Sequence, residues 1–153
     1  MVVIKVHGPE LMAEAEKIVK PQYPNAVQVE NTGTSSQGAA VLAEDVDRWS
    51  FIFTDIDGSE IITLEYANGR FGKPMREARA WIATQIKELP RNMPLQQAVA
   101  YLRKAGYKEP FRSVTLRAPF PEEKGATYVF QMGKRTVYLD AHGGEVTRVV
   151  EET

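Results

Sequence analysis

The chain contains no cysteine among its 153 residues. That excludes disulfide staples, thiolate nucleophiles and cysteine-ligated metal centres together. Histidine is almost as scarce, with only His7 and His142, and two imidazoles without a thiolate do not make a zinc site. An excess of either charge is missing too: 19 Lys and Arg stand against 20 Asp and Glu, for a net charge of -1. No global field therefore draws the chain to nucleic acid or to an anionic membrane. No stretch approaches the roughly 20 apolar residues that span a bilayer. The opening Met1–Val6 is too short for a signal-peptide core, is broken by His7–Gly8–Pro9, and reads as a short strand. These absences predict a cytoplasmic protein, with a trimmed secreted form restarted at Met as the other origin of such a sequence.

What is present suffices for a folded body. With 43% hydrophobic residues, the chain can form one domain or two small halves sharing a core. Gly8–Pro9 opens a helix whose Leu11, Met12, Ala15, Ile18 and Val19 recur on one face, and Pro21 and Pro24 end it. Ala26–Glu30 alternates as a short half-buried strand, and the small polar run Asn31–Gly38 reads as a loop. Trp49–Thr54 and Glu60–Tyr66 form the clearest hairpin, turning at Asp57–Gly58, and Asn68–Gly69 repeats the turn signal. Strict alternation sets Trp49, Phe51 and Phe53 on one face with Ile62, Leu64 and Tyr66. Pro74–Leu89 carries the longest helical pattern, and a second helix from Pro94 buries Leu95, Ala98, Val99 and Leu102 before Gly106 closes it. Phe111–Ala118, Thr127–Met132, Arg135–Asp140 and Glu145–Val150 read as strands, with Pro119–Gly125 as a loop.

The end of the chain echoes its middle. Trp49–Phe53, a turn, and Ile62–Phe71 match in residue type and order Tyr128–Phe130, a turn, and Val137–Val146. The second copy, with Tyr128–Val129–Phe130 and Val137–Tyr138–Leu139–Asp140–Ala141–His142–Gly143–Gly144–Glu145–Val146, resembles the PepSY family. The first copy is degenerate, with Glu65 and Tyr66 where the motif has Asp and Ala. The resemblance implies an α+β fold of two tandem helix-plus-antiparallel-sheet units, PepSY-like and cystatin-like in outline. The first would span residues 1–73 and the second, with its linking helix, 74–153, packed as one compact body. PepSY-like domains occur in propeptides of thermolysin-like metallopeptidases and in membrane-associated proteins, and tandem α/β units of similar outline form beta-lactamase inhibitor proteins. Those precedents imply recognition of another protein without chemistry, so no catalytic residue, cofactor or metal is transferred.

Reactive-looking clusters have plainer readings. Asp55–Ile56–Asp57–Gly58–Ser59 begins like a calcium loop, but the twelfth position is Tyr66 in place of Glu, so a hairpin turn is the better account. Thr34, Ser35 and Ser36 lack a nucleophile elbow, and Gly33–Gly38 lacks the lysine of a phosphate loop. The acidic groups Glu44–Asp45 with Asp47, Glu122–Glu123 and Glu151–Glu152 read as solvated surface. Arg103, Lys104, Lys108, Arg112 and Arg117 interleave with Tyr101, Tyr107 and Phe111, the composition of a weak nucleic-acid surface, yet their helical and strand positions favour ordinary solvated charge. Trp49 and Trp81 belong by their stripes to the core.

If the aromatic rows point at the helices, then Ile52, Thr54, Ile61, Thr63, Val129, Gln131, Thr136 and Tyr138 point away. Such a face is apolar enough to bind a partner or a second copy of the chain. The sequence therefore predicts a non-catalytic protein-binding module, an inhibitor or modulator of an enzyme in its specific form. Its contacts would be Ile52, Ile61, Thr63, Val129 and Tyr138 with the flanking loops Asn31–Gly38 and Pro119–Gly125. The rival reading is a small-molecule binder or enzyme with a pocket between helices and sheet, lined by Trp49, Tyr66 or Trp81.

Overall fold

A run of antiparallel strands accounts for most of the ordered chain. The computed structural model describes residues 8–55, 58–81, 89, 93–117 and 125–152. Helix α1 (Gly8–Val19) precedes β1 (Val27–Thr34), a short 3-10 turn at Ala43–Asp45, β2 (Arg48–Thr54), β3 (Ile61–Ala67), β4 (Arg70–Phe71) and β5 (Met75–Glu77). Helix α2 (Leu95–Lys104) precedes β6 (Phe111–Arg117), β7 (Thr127–Met132), β8 (Arg135–Asp140) and β9 (Val146–Glu151). The strands form one antiparallel sheet in the order β4-β3-β2-β1-β6-β7-β8-β9, with β5 also on β3. Their register follows the alternation of the sequence: Trp49, Phe51 and Phe53 lie opposite Tyr66, Leu64 and Ile62, and Tyr128 and Phe130 opposite Leu139 and Val137. One face of the sheet therefore holds the large side chains, and α1 and α2 cover it. Leu11, Met12 and Ala15 of α1 and Leu95, Ala98 and Leu102 of α2 join those strands in a single core cluster.

This architecture corrects the expected fold class. The protein is predominantly β, with nine strands against helices of 12 and 10 residues among the described residues. It is not a tandem pair of α+β units. The physical reason is the antiparallel pairing of β1 with β6, Glu30 to Thr34 against Arg117 to Ser113, which runs the hydrogen-bond ladder straight through the centre of the chain. Two local expectations fall with it. Asn31–Thr34 is the second half of β1, not the start of a loop, because the central sheet needs a strand there to satisfy the amides of both neighbours. Gly33 makes that geometry possible: a Cβ there would lie 2.6 Å from Val46 Cγ1 and 2.9 Å from Trp49 Cη2.

The second local correction is the helix expected over Pro74–Leu89. Met75–Glu77 is instead an edge strand paired with Thr63 to Ile61, and Met75 is 67% exposed, so its place on the expected apolar stripe is lost. An Arg76–Glu60 ion pair holds this strand at the β2–β3 hairpin. Residues 82–88 of the expected helix lie outside the described residues, as does the strand expected over Met1–Val6. Trp81 is half-buried, its backbone amide donating to the Gly58 carbonyl at 2.8 Å.

The turns behave as their chemistry dictates. Asn68 and Gly69 both have positive φ, 55° and 74°, as a two-residue hairpin between β3 and β4 requires. The Asp140–Gly144 turn is built by one carboxylate: Asp140 accepts from the His142 amide at 3.1 Å and from the Gly143 amide at 2.9 Å. Gly144 (φ 75°) then lets the turn lie against α2, where an added Cβ would meet the Tyr101 ring at 2.4 Å. Gly144→Ala combines a left-handed backbone with that clash, so urea unfolding should show a loss of about 2–4 kcal/mol. Gly69→Ala, with the same backbone demand in open space, should lose only about 1–2 kcal/mol. Removing the ring with Tyr101→Ala should shrink the Gly144 effect toward the Gly69 one.

Candidate functional site

The sheet face turned away from the helices is organised in rows that cross the strands. One row runs from Arg148 and Tyr138 through Val129, Thr115 and Thr32 to Ser50 and Glu65. At about 4.8 Å per strand it is close to 30 Å long. The next row carries Asp140, Thr127, Arg117, Glu30, Ile52 and Thr63. Small hydroxyl side chains fill the centre, and the Thr32 and Thr115 hydroxyls lie 3.0 Å apart across the β1–β6 pair. At the β8 end Tyr138 lies between two guanidinium groups, with Arg117 and Arg148 at 5.8 and 5.5 Å from its ring centroid. Such cation–π contacts fix the orientation of the ring.

Glu30 sits beside Arg117 at the middle of this face. Burial pushes its carboxyl above the ordinary glutamate value, while the charge of Arg117 pulls it back down. Desolvation is the larger effect. Arg117 is itself 9% exposed and lies directly across from Glu30 in the β1–β6 pairing.

All five residues expected to bind a partner lie on this face, but they do not form one patch. Ile52 is directly opposite Thr63, with Ile61 one row along; Val129 is opposite Tyr138. The two groups are separated by β1 and β6, where the hydroxyls and the Glu30–Arg117 pair stand. Ile61 and Val129 are buried, at 5% and 9% exposure, and so present no surface to a partner; Ile52, Thr63 and Tyr138 are half-buried. The accessible part of the face mixes the half-buried Ile52 and Tyr138 and the exposed Val150 with hydroxyl and charged side chains. Sequence reasoning missed Glu30, Thr115 and Arg148, while Thr32 fell within the expected contact loop Asn31–Gly38 and Arg117 within the weak nucleic-acid surface. The signal was available in part, since the alternation of Glu30 against Val29 marks it as facing away from the apolar side.

The other clusters are occupied by structural work. The Asp55 carboxylate accepts from Ser59 Oγ at 2.8 Å and from the Glu60 amide at 2.9 Å, which is turn chemistry. Asp45 accepts from the Val41 and Leu42 amides at 3.1 and 2.9 Å. Asp47 accepts from the Ser36 hydroxyl and amide, and the Ser36 hydroxyl bond holds its carboxyl below the ordinary range. Arg103 acts as a clamp, donating to the carbonyls of Tyr107, Glu109 and Val41 at 2.9, 2.6 and 2.7 Å. Arg135 pairs with Glu109 and lies over the Tyr107 ring at 4.9 Å. His142 is exposed, with its ring against Gly125. Trp49 is in the core, 2% exposed. His7, Ile56, Asp57, Glu122, Glu123 and all of the loop Pro119–Gly125 except Gly125 lie outside the described residues. No group of three or more metal-ligating side chains occurs among the described residues, and none of their helices is long and apolar enough to cross a membrane.

The raised pKa of Glu30 has a direct consequence for stability. The folded state binds its proton more tightly than the unfolded chain, so ionised Glu30 opposes folding above its folded pKa and this penalty is relieved as pH falls through that value toward the ordinary one. Glu30→Gln should therefore be the more stable protein at neutral pH, and its advantage should shrink on acidification. Denaturant melts of both proteins at a series of pH values test this; a less stable Gln variant at neutral pH would mean that the Arg117 attraction outweighs burial.

No protein-family model matches the chain, and no curated protein sequence matches it. A solved structure does: the crystal structure of a "putative lipoprotein" from Clostridium difficile 630 superimposes with a TM-score of 0.64 over 99% of this chain and 96% of that one. The two are 16% identical, a likeness of fold alone, and it extends over nearly the whole length of both chains.

Proposed function

We propose that this protein is a non-catalytic binding module for another protein, and that it engages its partner through the sheet face turned away from the helices. The observation that carries the reading is the row from Tyr138 to Glu65. It carries the hydroxyls of Tyr138, Thr115, Thr32 and Ser50, interrupted at Val129, with an oriented aromatic ring and opposite charges at its ends, Arg148 and Glu65. A face of that kind offers hydrogen bonds and one aromatic anchor over an area suited to a folded partner. Modulation or inhibition of an enzyme is the specific form proposed, in keeping with the resemblance of Tyr128–Val146 to the PepSY family and its precedents in propeptides. A second copy of the chain is the other partner this surface would suit. A cytoplasmic setting and an extracytoplasmic one, the latter suggested by the description of the structural neighbour as a lipoprotein, are separated by fractionation of the native host.

Tyr138 and Ile52 are the half-exposed large side chains on this face. Tyr138→Asp and Ile52→Asp should each weaken co-purification of the partner at least tenfold, the loss of about 1.4 kcal/mol or more expected at an anchor. Circular dichroism and melting temperature should stay near those of the parent protein. Unfolding of both variants would make these side chains core and end the reading; intact folding with undiminished partner capture would place the binding surface elsewhere.

A further inference from the structure

The two edges of the sheet are built differently. One ends in β4, of two residues, and β5, of three, with Arg76 of β5 ion-paired to Glu60. Short, charged strands are an ordinary protection against edge-to-edge pairing. The other edge is β9, six residues without proline, and among the described residues no strand pairs with its outer side. A bulge interrupts β9 near its start, but Arg148 to Glu151 run on in regular register beyond it. Val150, within that stretch, is 38% exposed.

The direction of the backbone decides which groups this edge offers. The Glu152 amide donates to the Lys134 carbonyl at 2.7 Å, in the same register that sets Val150 opposite Thr136 and Arg148 opposite Tyr138. Alternate residues of an antiparallel ladder turn both N–H and C=O toward the same neighbour. The main chain of Arg148, Val150 and Glu152 therefore serves β8, while Val149 and Glu151 present amide and carbonyl outward. Side chains follow the same parity: Arg148 and Val150 lie on the sheet face away from the helices, and Val149, opposite Val137, lies on the helix-facing side.

We propose that β9 is a dimerisation edge for a second copy of this chain, the two β9 strands pairing antiparallel about a two-fold axis at Val150. An axis normal to the sheet brings residues of like parity opposite one another. Centred on Val150, Val149 meets the partner's Glu151 twice, and each such pair exchanges two N–H···O bonds. The two Val150 side chains then meet across the axis, and Arg148 stands opposite the partner's Glu152 on either side of them. Neighbouring registers lose this complementarity. Centring on Arg148 or on Glu151 opposes like charges, and centring on Val149 sets Arg148 against Val150. The assembly closes at two copies, because the axis uses β9 alone. It leaves both outward faces on one side of a continuous sheet, with their Tyr138 ends adjoining. The inference does not rest on the binding of another protein proposed above.

Sedimentation equilibrium of the full chain from about 1 μM to about 1 mM tests the pairing, a range that covers weak to moderate self-association. The expected result is a reversible rise to twice the chain mass. Glu151→Pro removes an outward amide at a place where an edge strand tolerates proline, so it should abolish the dimer while circular dichroism stays that of the parent. Arg148→Glu and Glu152→Lys should each weaken dimerisation about tenfold, and the two together should restore it. Should Glu151→Pro not fold, this charge exchange at exposed positions decides alone. A chain that stays monomeric throughout overturns the inference, even if its edge captures a strand of a different protein. So does a dimer that survives Glu151→Pro, which would place the contact on another surface, or a double variant no better than the single ones.

Discussion

The pairing of β1 with β6 is the constraint on which the rest of this structure depends. Among the described residues it is the ladder that joins the strands following α1 to those following α2, and it brings both sets of aromatic side chains onto one face. Because side chains alternate strictly along a strand, the register of this pair decides the environment of every residue on both sides of it. Slipping it by one residue would carry Val114 and Leu116 to the face away from the helices and Thr115 into the core. The hydrophobic gain from placing Phe51, Phe53, Tyr128 and Phe130 together under α1 and α2 holds the register against such slips.

Central position has a cost that β1 displays in its composition. An antiparallel strand covered on one face usually alternates apolar-in with polar-out, yet β1 reads VQVENTGT and turns Gln28, Asn31 and Gly33 toward the helices. Its glycine gives the Trp49 ring a place to lie, and its Gln28 gives α1 a hydrogen bond. Asn31 and Glu30, one on each side of the strand, are the two polar side chains least well served by the protein around them.

Legibility from sequence varies with the range of the interaction concerned. The β2–β3 and β7–β8 hairpins are readable because turn chemistry and alternation are local, and α2 because its apolar spacing and Gly106 (φ 101°) are local as well. Met75–Glu77 reads as helix in the sequence since Met75 fits an apolar stripe; only the proximity of β3 offers its backbone a ladder. Asn31–Thr34 reads as loop because small polar residues ordinarily are loop. Parity places Ile52, Ile61, Thr63, Val129 and Tyr138 together on the face away from the helices, but burial of Ile61 and Val129 and the hydroxyl side chains between the two groups depend on strand order, which parity does not contain.

The amino-acid sequence by itself determined the alternation of large and small side chains, the tight turns at Asn68–Gly69 and Asp140–Gly144, and the starts and stops of α1 and α2, since each of these is an interaction between residues a few positions apart. Tertiary structure alone decided that β1 lies beside β6 and that an asparagine is sealed in the core. It also decided that a glutamate shares the far face with a buried arginine. Those outcomes follow from pairing segments as distant as Thr32 and Thr115, 83 residues apart, where the free energy comes from the whole buried face and no local pattern records which strands will meet.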